Sequence, residues 1–171
     1  MTLLSKRVSP KRTALATAHC PPIYSKHTRK NKMNGINYEE AISKLEQKCF
    51  PGSCWSEKAV EETLSRSDVL YGMEYGKNKS PAGYFIGAAA NGEAELYRIA
   101  VLPEYRRKGM GKHLLEAFLD SCPKNTSKIF LEVRSKNVAA MELYKKYGFR
   151  TIHVRKGYYK DDDGVVMEAE V

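Results

Sequence analysis

Long hydrophobic runs are missing from this sequence. The longest, residues 85–90 (Phe-Ile-Gly-Ala-Ala-Ala), is far shorter than the about 18 residues a membrane-spanning helix needs. Cysteine is scarce and unpatterned. Cys20, Cys49, Cys54 and Cys122 form no C-x-x-C pair, and no histidine lies at metal-ligand spacing from them. A zinc framework is thereby excluded, and reduced thiols in a cytoplasmic protein are expected. No secretory leader is expected, because the apolar residues 3–4 are followed directly by Lys6 and Arg7. Seven prolines and twelve glycines are too few for a collagen-like or low-complexity chain. Acid is absent from the first 35 residues altogether.

What is present is enough for one domain with a real core. The 171 residues are 42% hydrophobic and 10% aromatic, which excludes a disordered chain. The net charge of +9 comes from 29 basic and 20 acidic side chains. Eight of the basic ones, Lys6, Arg7, Lys11, Arg12, Lys26, Arg29, Lys30 and Lys32, fall in residues 1–35. The remaining 21 against 20 leave residues 36–171 at +1, so a globally basic nucleic-acid-binding domain is disfavoured. Residues 1–35 read as a basic, flexible N-terminal extension. Their composition also fits an organelle transit peptide, and Met33 also fits a start codon at the edge of the folded region. A domain over residues 36–171 follows.

Periodicity predicts a helix over residues 38–49, with Ala41, Ile42, Leu45 and Cys49 on one face, and a second from an N-cap at Ser56 to about Leu64. Strands are expected over residues 69–75 and 82–90, and Asn91-Gly92 signals a hairpin into a strand at 93–101. Met110, Leu114, Leu115, Phe118 and Leu119 mark a helix reaching Cys122. A strand at 128–133 and a helix carrying Ala140, Leu143, Tyr144 and Tyr147, stopped by Gly148, come next. Residues 150–154 and 165–170 close as a strand pair. This order predicts an α/β (α+β) fold with a mixed, mostly antiparallel central sheet flanked by helices.

Three features carry chemistry. Arg106-Arg107-Lys108-Gly109-Met110-Gly111-Lys112 lies between a strand end and a helix start. Two glycines, the N–H groups of the helix and four basic side chains make either a pyrophosphate cradle or a solvated basic turn. It lacks the third glycine of a dinucleotide fingerprint and the ending of a P-loop. Glu132 stands in Ile129-Phe130-Leu131-Glu132-Val133, a nearly continuous apolar strand expected to be buried on both faces. A carboxylate there is either paired with an arginine or functional. Tyr144 shares an apolar face with Leu143 and Tyr147, the position of a core tyrosine or of a catalytic one.

Together with Tyr97-Arg98-Ile99-Ala100-Val101, Pro103, Asn137, Gly148-Phe149, Cys49-Phe50, Trp55-Ser56-Glu57-Lys58 and Tyr158-Tyr159, these motifs resemble the GNAT acetyltransferase superfamily. Within it they resemble the RimI type, the ribosomal-protein-alanine N-acetyltransferases, over about residues 38–171. The resemblance implies acetyl-CoA as acetyl donor and no metal. It implies contact with the pantetheine arm and acetyl group from the backbone of Ile99, Ala100 and Val101, which would also support the oxyanion. It places the pyrophosphate on Arg107, Lys108, Gly109, Met110, Gly111 and Lys112, and Asn137 against the cofactor. Glu132 takes the position of proton acceptor and Tyr144 that of proton donor. Tyr158 and Tyr159 match a loop lining the acceptor-peptide channel.

The acceptor implied is a protein N-terminus, the N-terminal alanine of a ribosomal protein, reached without membrane attachment or direct nucleic-acid binding. Lysine or small-amine acetylation by the same fold is an alternative, as is a ribosome- or nucleic-acid-binding module that uses the basic tail. Such enzymes open with a strand before the first helix, and the polar residues 27–32 make a poor one. The acidic Asp161-Asp162-Asp163-Gly164 reads as a solvated turn or as an attractor for a cationic amine terminus.

Overall fold

The computed structural model describes residues 32–33, 36–77 and 79–171. Apart from Lys32 and Met33, the basic extension lies outside the described residues, and so does all but Lys32 of the stretch 27–32 read as a poor first strand. Lys32–Met33 (β1) and Ile36–Asn37 (β2) pair antiparallel with each other, not with the main sheet. Asn37 then caps the first helix, its side-chain oxygen accepting from the Glu39 and Glu40 N–H groups, and α1 runs Tyr38–Cys49. Ser56 does the same for Glu57–Leu64 (α2) by accepting from Ala59 N at 3.1 Å.

The six-stranded sheet contains Val69–Tyr75 (β3), Pro81–Ala90 (β4), Glu93–Val101 (β5), Lys128–Arg134 (β6), Arg150–Tyr159 (β7) and Asp162–Glu170 (β8), in the order β3-β4-β5-β6-β8-β7. Only β5 and β6 run parallel. The β4–β5 hairpin turns at Asn91 (φ 53°) and Gly92 (φ 82°), both left-handed, as a tight hairpin of right-twisted strands requires. Met110–Ser121 (α3) joins β5 to β6, and Val138–Lys146 (α4) joins β6 to β7.

Alternation sorts the core into two layers. Phe85, Leu96, Ile129, Leu131, Val133, Val165 and Met167 face α3 and α4, where Leu114, Leu115, Phe118 and Tyr144 meet them. Tyr71, Met73, Tyr84, Ile86 and Ala100 face α1 and α2, where Tyr38, Ile42, Leu45 and Val60 fill the other layer. The helix pair α1–α2 covers β3 to β5 and stops there.

Three expectations are corrected. Strand β6 is not buried on both faces: its burial alternates, with Leu131 and Val133 in the core and Glu132 on the half-buried side, because none of the described helices covers that side. The closing strands are longer than 150–154 and 165–170, so Tyr158 and Tyr159 end a strand rather than sit in a loop, and Tyr159 pairs with Asp162. The aspartate run is no simple solvated turn. Asp162 is buried and accepts from Ser135 Oγ (2.5 Å) and Lys136 N (3.0 Å), while Asp163 accepts from Gly157 N (2.8 Å). These bonds hold both carboxyls below the usual aspartate range. The carboxylates are occupied by the turn they shape.

Candidate active site

The site begins where two strands part. The parallel ladder between β5 and β6 ends at Leu96↔Leu131. Beyond it β5 continues along β4 with Tyr97 bulged out, since Gly87 pairs with Leu96 and Ile86 with Arg98. Strand β6 continues instead along β8 to Arg134. Between the two, the β6-facing backbone edge over Ile99, Ala100 and Val101 has no ladder partner among the described strands, which leaves backbone N–H groups to meet a ligand.

At the end of β5 a 3-10 turn, Pro103–Tyr105, leads into the basic loop. Arg107 (φ 61°) and Gly109 (φ 84°) both adopt left-handed backbone, which folds residues 106–109 back onto the start of α3. Gly109 is the helix N-cap and brings no side chain, and the first turn carries no acid. The leading N–H groups of α3 therefore point outward with the positive end of the helix dipole. Arg106 Nε donates to Val101 O (2.9 Å) and Lys108 Nζ to Glu104 O (2.7 Å), which fixes the loop's shape. A Cβ on Gly111 would meet only Leu143 and Val101, at 3.9 Å. Uncapped N–H groups, basic side chains and open space fit a diphosphate. Asn137 is the N-cap of α4, its Oδ1 accepting from Ala140 N at 3.3 Å.

Glu132 projects from β6 onto the side of the sheet that α1 and α2 leave open. Its Oε2 accepts from Arg155 Nη1 (2.8 Å) and its Oε1 from the Tyr159 hydroxyl (3.2 Å). Arg155 also lies 3.5 Å over the Tyr158 ring, Arg134 lies 4.1 Å over the Tyr159 ring, and the two tyrosine rings meet edge to face. Gly164 keeps this corner open, since a Cβ there would press on Tyr158 and on the Glu132 carboxyl. Tyr144 is on the other side of the sheet, buried against Phe149, and none of the described residues hydrogen-bonds its hydroxyl. Burial raises its phenol well above the ordinary value of 10.0. The sheet separates Glu132 from Tyr144.

Sequence reading missed the Arg155 partner and a buried carboxylate, Glu46. Glu46 gave a signal: it lies four residues after Ile42 on the apolar stripe of α1. Among the described residues no group of three or more His, Cys, Asp and Glu side chains is placed to hold a metal ion, and no helix is long and apolar enough to cross a membrane.

Comparison with known proteins places this geometry. Residues 39–149 match the Acetyltransferase (GNAT) family. The [ribosomal protein bS18]-alanine N-acetyltransferase of Escherichia coli strain K12 is 35% identical over 111 residues, spanning 64% of this chain and 74% of that protein. An N-alpha-acetyltransferase of Saccharolobus solfataricus is 47% identical over 73 residues, 42% of this chain and 44% of that one. The crystal structure of the ribosomal-protein-S18-alanine N-acetyltransferase from E. coli superposes with a TM-score of 0.72 at 28% identity, covering 88% of this chain and 94% of that chain. The parted strands, the basic loop at a helix start and the matched sequence all lead to one assignment: the chain belongs to the GNAT acetyltransferase family and is an N-acetyltransferase that uses acetyl-CoA.

Proposed function

We propose that the chain acetylates the α-amino group of a protein N-terminus, the N-terminal alanine of a small-subunit ribosomal protein being the acceptor. The observation that carries this is Glu132, a carboxylate beside the gap between β5 and β6, on a sheet face that none of the described helices covers there. The names of the E. coli and S. solfataricus relatives support the same acceptor class.

Arg107, Lys108, Gly109, Met110, Gly111 and Lys112 hold the diphosphate through helix N–H groups and positive charge. Asn137, its carbonyl oxygen taken by Ala140, offers its amide N–H₂ to the cofactor. Acetyl-CoA supplies the acetyl thioester. Backbone N–H groups among Ile99, Ala100 and Val101 donate to the carbonyl oxygen as it gains charge.

An α-amine has a pKa of about 7.7–8.0, so a carboxylate suffices to take its proton during attack. Each Glu132 oxygen accepts one hydrogen bond in the structure and keeps a second lone pair for the amine or a bridging water. Tyr144, kept protonated by burial, donates to the leaving thiolate from the opposite side of the gap. Tyr158 and Tyr159 line the acceptor's approach.

Ribosomal proteins incubated with the enzyme and isotopically labelled acetyl-CoA test this by mass spectrometry. Label on one chain-terminal α-amine is expected. Label on lysine ε-amines alone overturns the acceptor class.

A further inference from the structure

Glu46 is a fully buried carboxylate that the proposed chemistry does not use. It sits on α1, and its partners come from the covered strands β4 and β5 and from the link between α1 and α2. One oxygen accepts from the Tyr84 hydroxyl on β4 and lies 3.6 Å from Arg98 Nε on β5. The other accepts from the Trp55 backbone N–H at 2.7 Å. Arg98 in turn donates to Ser53 O (3.0 Å), with its guanidinium 4.5 Å from the centre of the Phe50 ring and 5.0 Å from that of Trp55. Residues 50–55, the link between α1 and α2, are thus tied to the sheet by one carboxylate, one guanidinium and two aromatic rings.

The place of this tie gives it a role. Arg98 is the residue before Ile99, at the start of the β5 stretch that no longer pairs with β6. Ile99 packs toward α3 and α4, so Arg98 and the loop stand on the other face, the one Glu132 occupies. Tyr159 bonds Glu132 from β7 with Tyr158 beside it, and residues 50–55 are bound from the α1 side to Arg98, one residue from the unpaired edge that begins at Ile99. Burying a carboxylate costs several kcal/mol (roughly) unless it is paired and hydrogen-bonded, and here those bonds all fix one loop.

We propose that Glu46 is a positioning residue: through Arg98 it holds residues 50–55 as a pre-set wall against which the first residues of the acceptor peptide bind. This rests on the N-terminal acceptor reading above. A wall fixed before binding removes the cost of ordering six loop residues when the peptide arrives, so it acts on acceptor affinity rather than on the chemical step.

Trp55 is the chain's single tryptophan, so its fluorescence reads the wall directly. The full-length parent, Glu46→Gln and Arg98→Met are compared on a peptide with a free N-terminal alanine. In the parent, Trp55 emission should change saturably with peptide. In both variants the emission should shift to the red and become more accessible to acrylamide. Acceptor KM should rise about tenfold while kcat and acetyl-CoA KM stay within about threefold. The double variant should be no worse than the poorer single one, since both break one tie. Arg98→Lys, which keeps charge but not ring stacking, should fall between parent and Arg98→Met.

If Glu46→Gln does not fold, Arg98→Met, altered at a partly exposed side chain, carries the test. Variants whose acceptor KM equals the parent's, or whose loss lies wholly in kcat, overturn the inference while an active parent leaves the acceptor reading intact. A parent that acetylates no peptide α-amine overturns both.

Discussion

The two halves of the sheet are built differently. Strand β4 is buried along almost its whole length between α1–α2 on one face and α3 on the other. Strand β7, of the same ten-residue length, is exposed from Arg150 through Tyr158. The first half is apolar on both sides except for the Glu46–Tyr84–Arg98 cluster, while the open face of the second carries Glu132, Arg134, Arg155 and Tyr159, joined by charge and ring contacts. Burial supplies stability in proportion to apolar area removed from water, and catalysis needs groups that reach a ligand. The protein keeps these demands apart in part: the covered half holds the fold, and the half without a second described helix layer carries the proposed proton acceptor Glu132, while the proposed donor Tyr144 stays in the core. The parted strands β5 and β6 are the seam between them.

The largest effect expected from this division falls on the open half. Glu132→Gln should cut turnover by about 10²–10⁴ while leaving the denaturation midpoint near the parent's. The loss should shrink as pH rises past the acceptor amine's own pKa of about 7.7–8.0, because the amine then arrives deprotonated. Tyr144→Phe should lose activity without that recovery, its deficit constant or growing with pH as other proton donors become scarce. Profiles of kcat/KM from pH 6 to 9 check both. Tyr144 also has a stability signature. Burial raises its folded pKa above 10.0, so its contribution is intact below that pH and is lost as pH rises further. The Phe variant should therefore lose less stability than the parent in alkaline melts.

The covered half predicts the opposite pattern. Phe85 is wholly buried and meets Phe118 edge to face at 5.7 Å. Phe85→Ala should cost about 3–5 kcal/mol in chemical denaturation. Acetyl-CoA affinity per folded molecule should hold. A collapse of affinity with stability unchanged would refute the division.

How much of this was legible in the sequence follows the same line. In the covered half, α1, α2, β3 and β5 appear at the expected residues, because Ser56 and Asn91-Gly92 are local signals and tertiary packing agrees with them. In the open half the reading slipped. The run Ile129-Phe130-Leu131 looks buried on both sides, yet Phe130 and Glu132 face a side that none of the described helices covers, and hydrophobicity alone does not tell how many layers a fold supplies. The Glu132–Arg155 bond spans 23 residues between non-adjacent strands, and Arg155 follows no motif. Asp161, Asp162 and Asp163 looked like surface charge because their partners, Arg134, Ser135, Lys136 and Gly157, come from two other segments. Glycines, caps and turns are local and were readable. The pairings that assemble the open face are long-range and were not.

The seam should respond through the ligand alone. Gly111→Asp adds a carboxylate where the loop presents N–H groups and positive charge, and the 3.9 Å clearance leaves the fold room for it. Acetyl-CoA affinity measured by calorimetric titration should weaken about tenfold or more, some 1.4 kcal/mol, with the melting temperature almost unchanged. Unchanged affinity would remove the basic loop from the site.

The smallest effect tests the open half where it looks most like a core. Ile152 is a β-branched residue inside a ten-residue strand, the kind of position where truncation to a polar side chain usually costs stability. Here it is 47% exposed, on a strand that, among the described residues, pairs only with β8 and is covered on neither face. With little apolar area removed from water, there is little for a substitution to lose. Ile152→Ser should therefore change unfolding stability by no more than about 0.5 kcal/mol and leave kcat/KM at the parent value. Its neighbours Arg150 and Arg155 already charge this edge, as exposed edge strands require to resist pairing with other chains, so the elution volume should not change either. A loss of several kcal/mol, or a shift in elution, would show that another surface covers β7 in solution, and the contrast between the halves would then describe the isolated chain only.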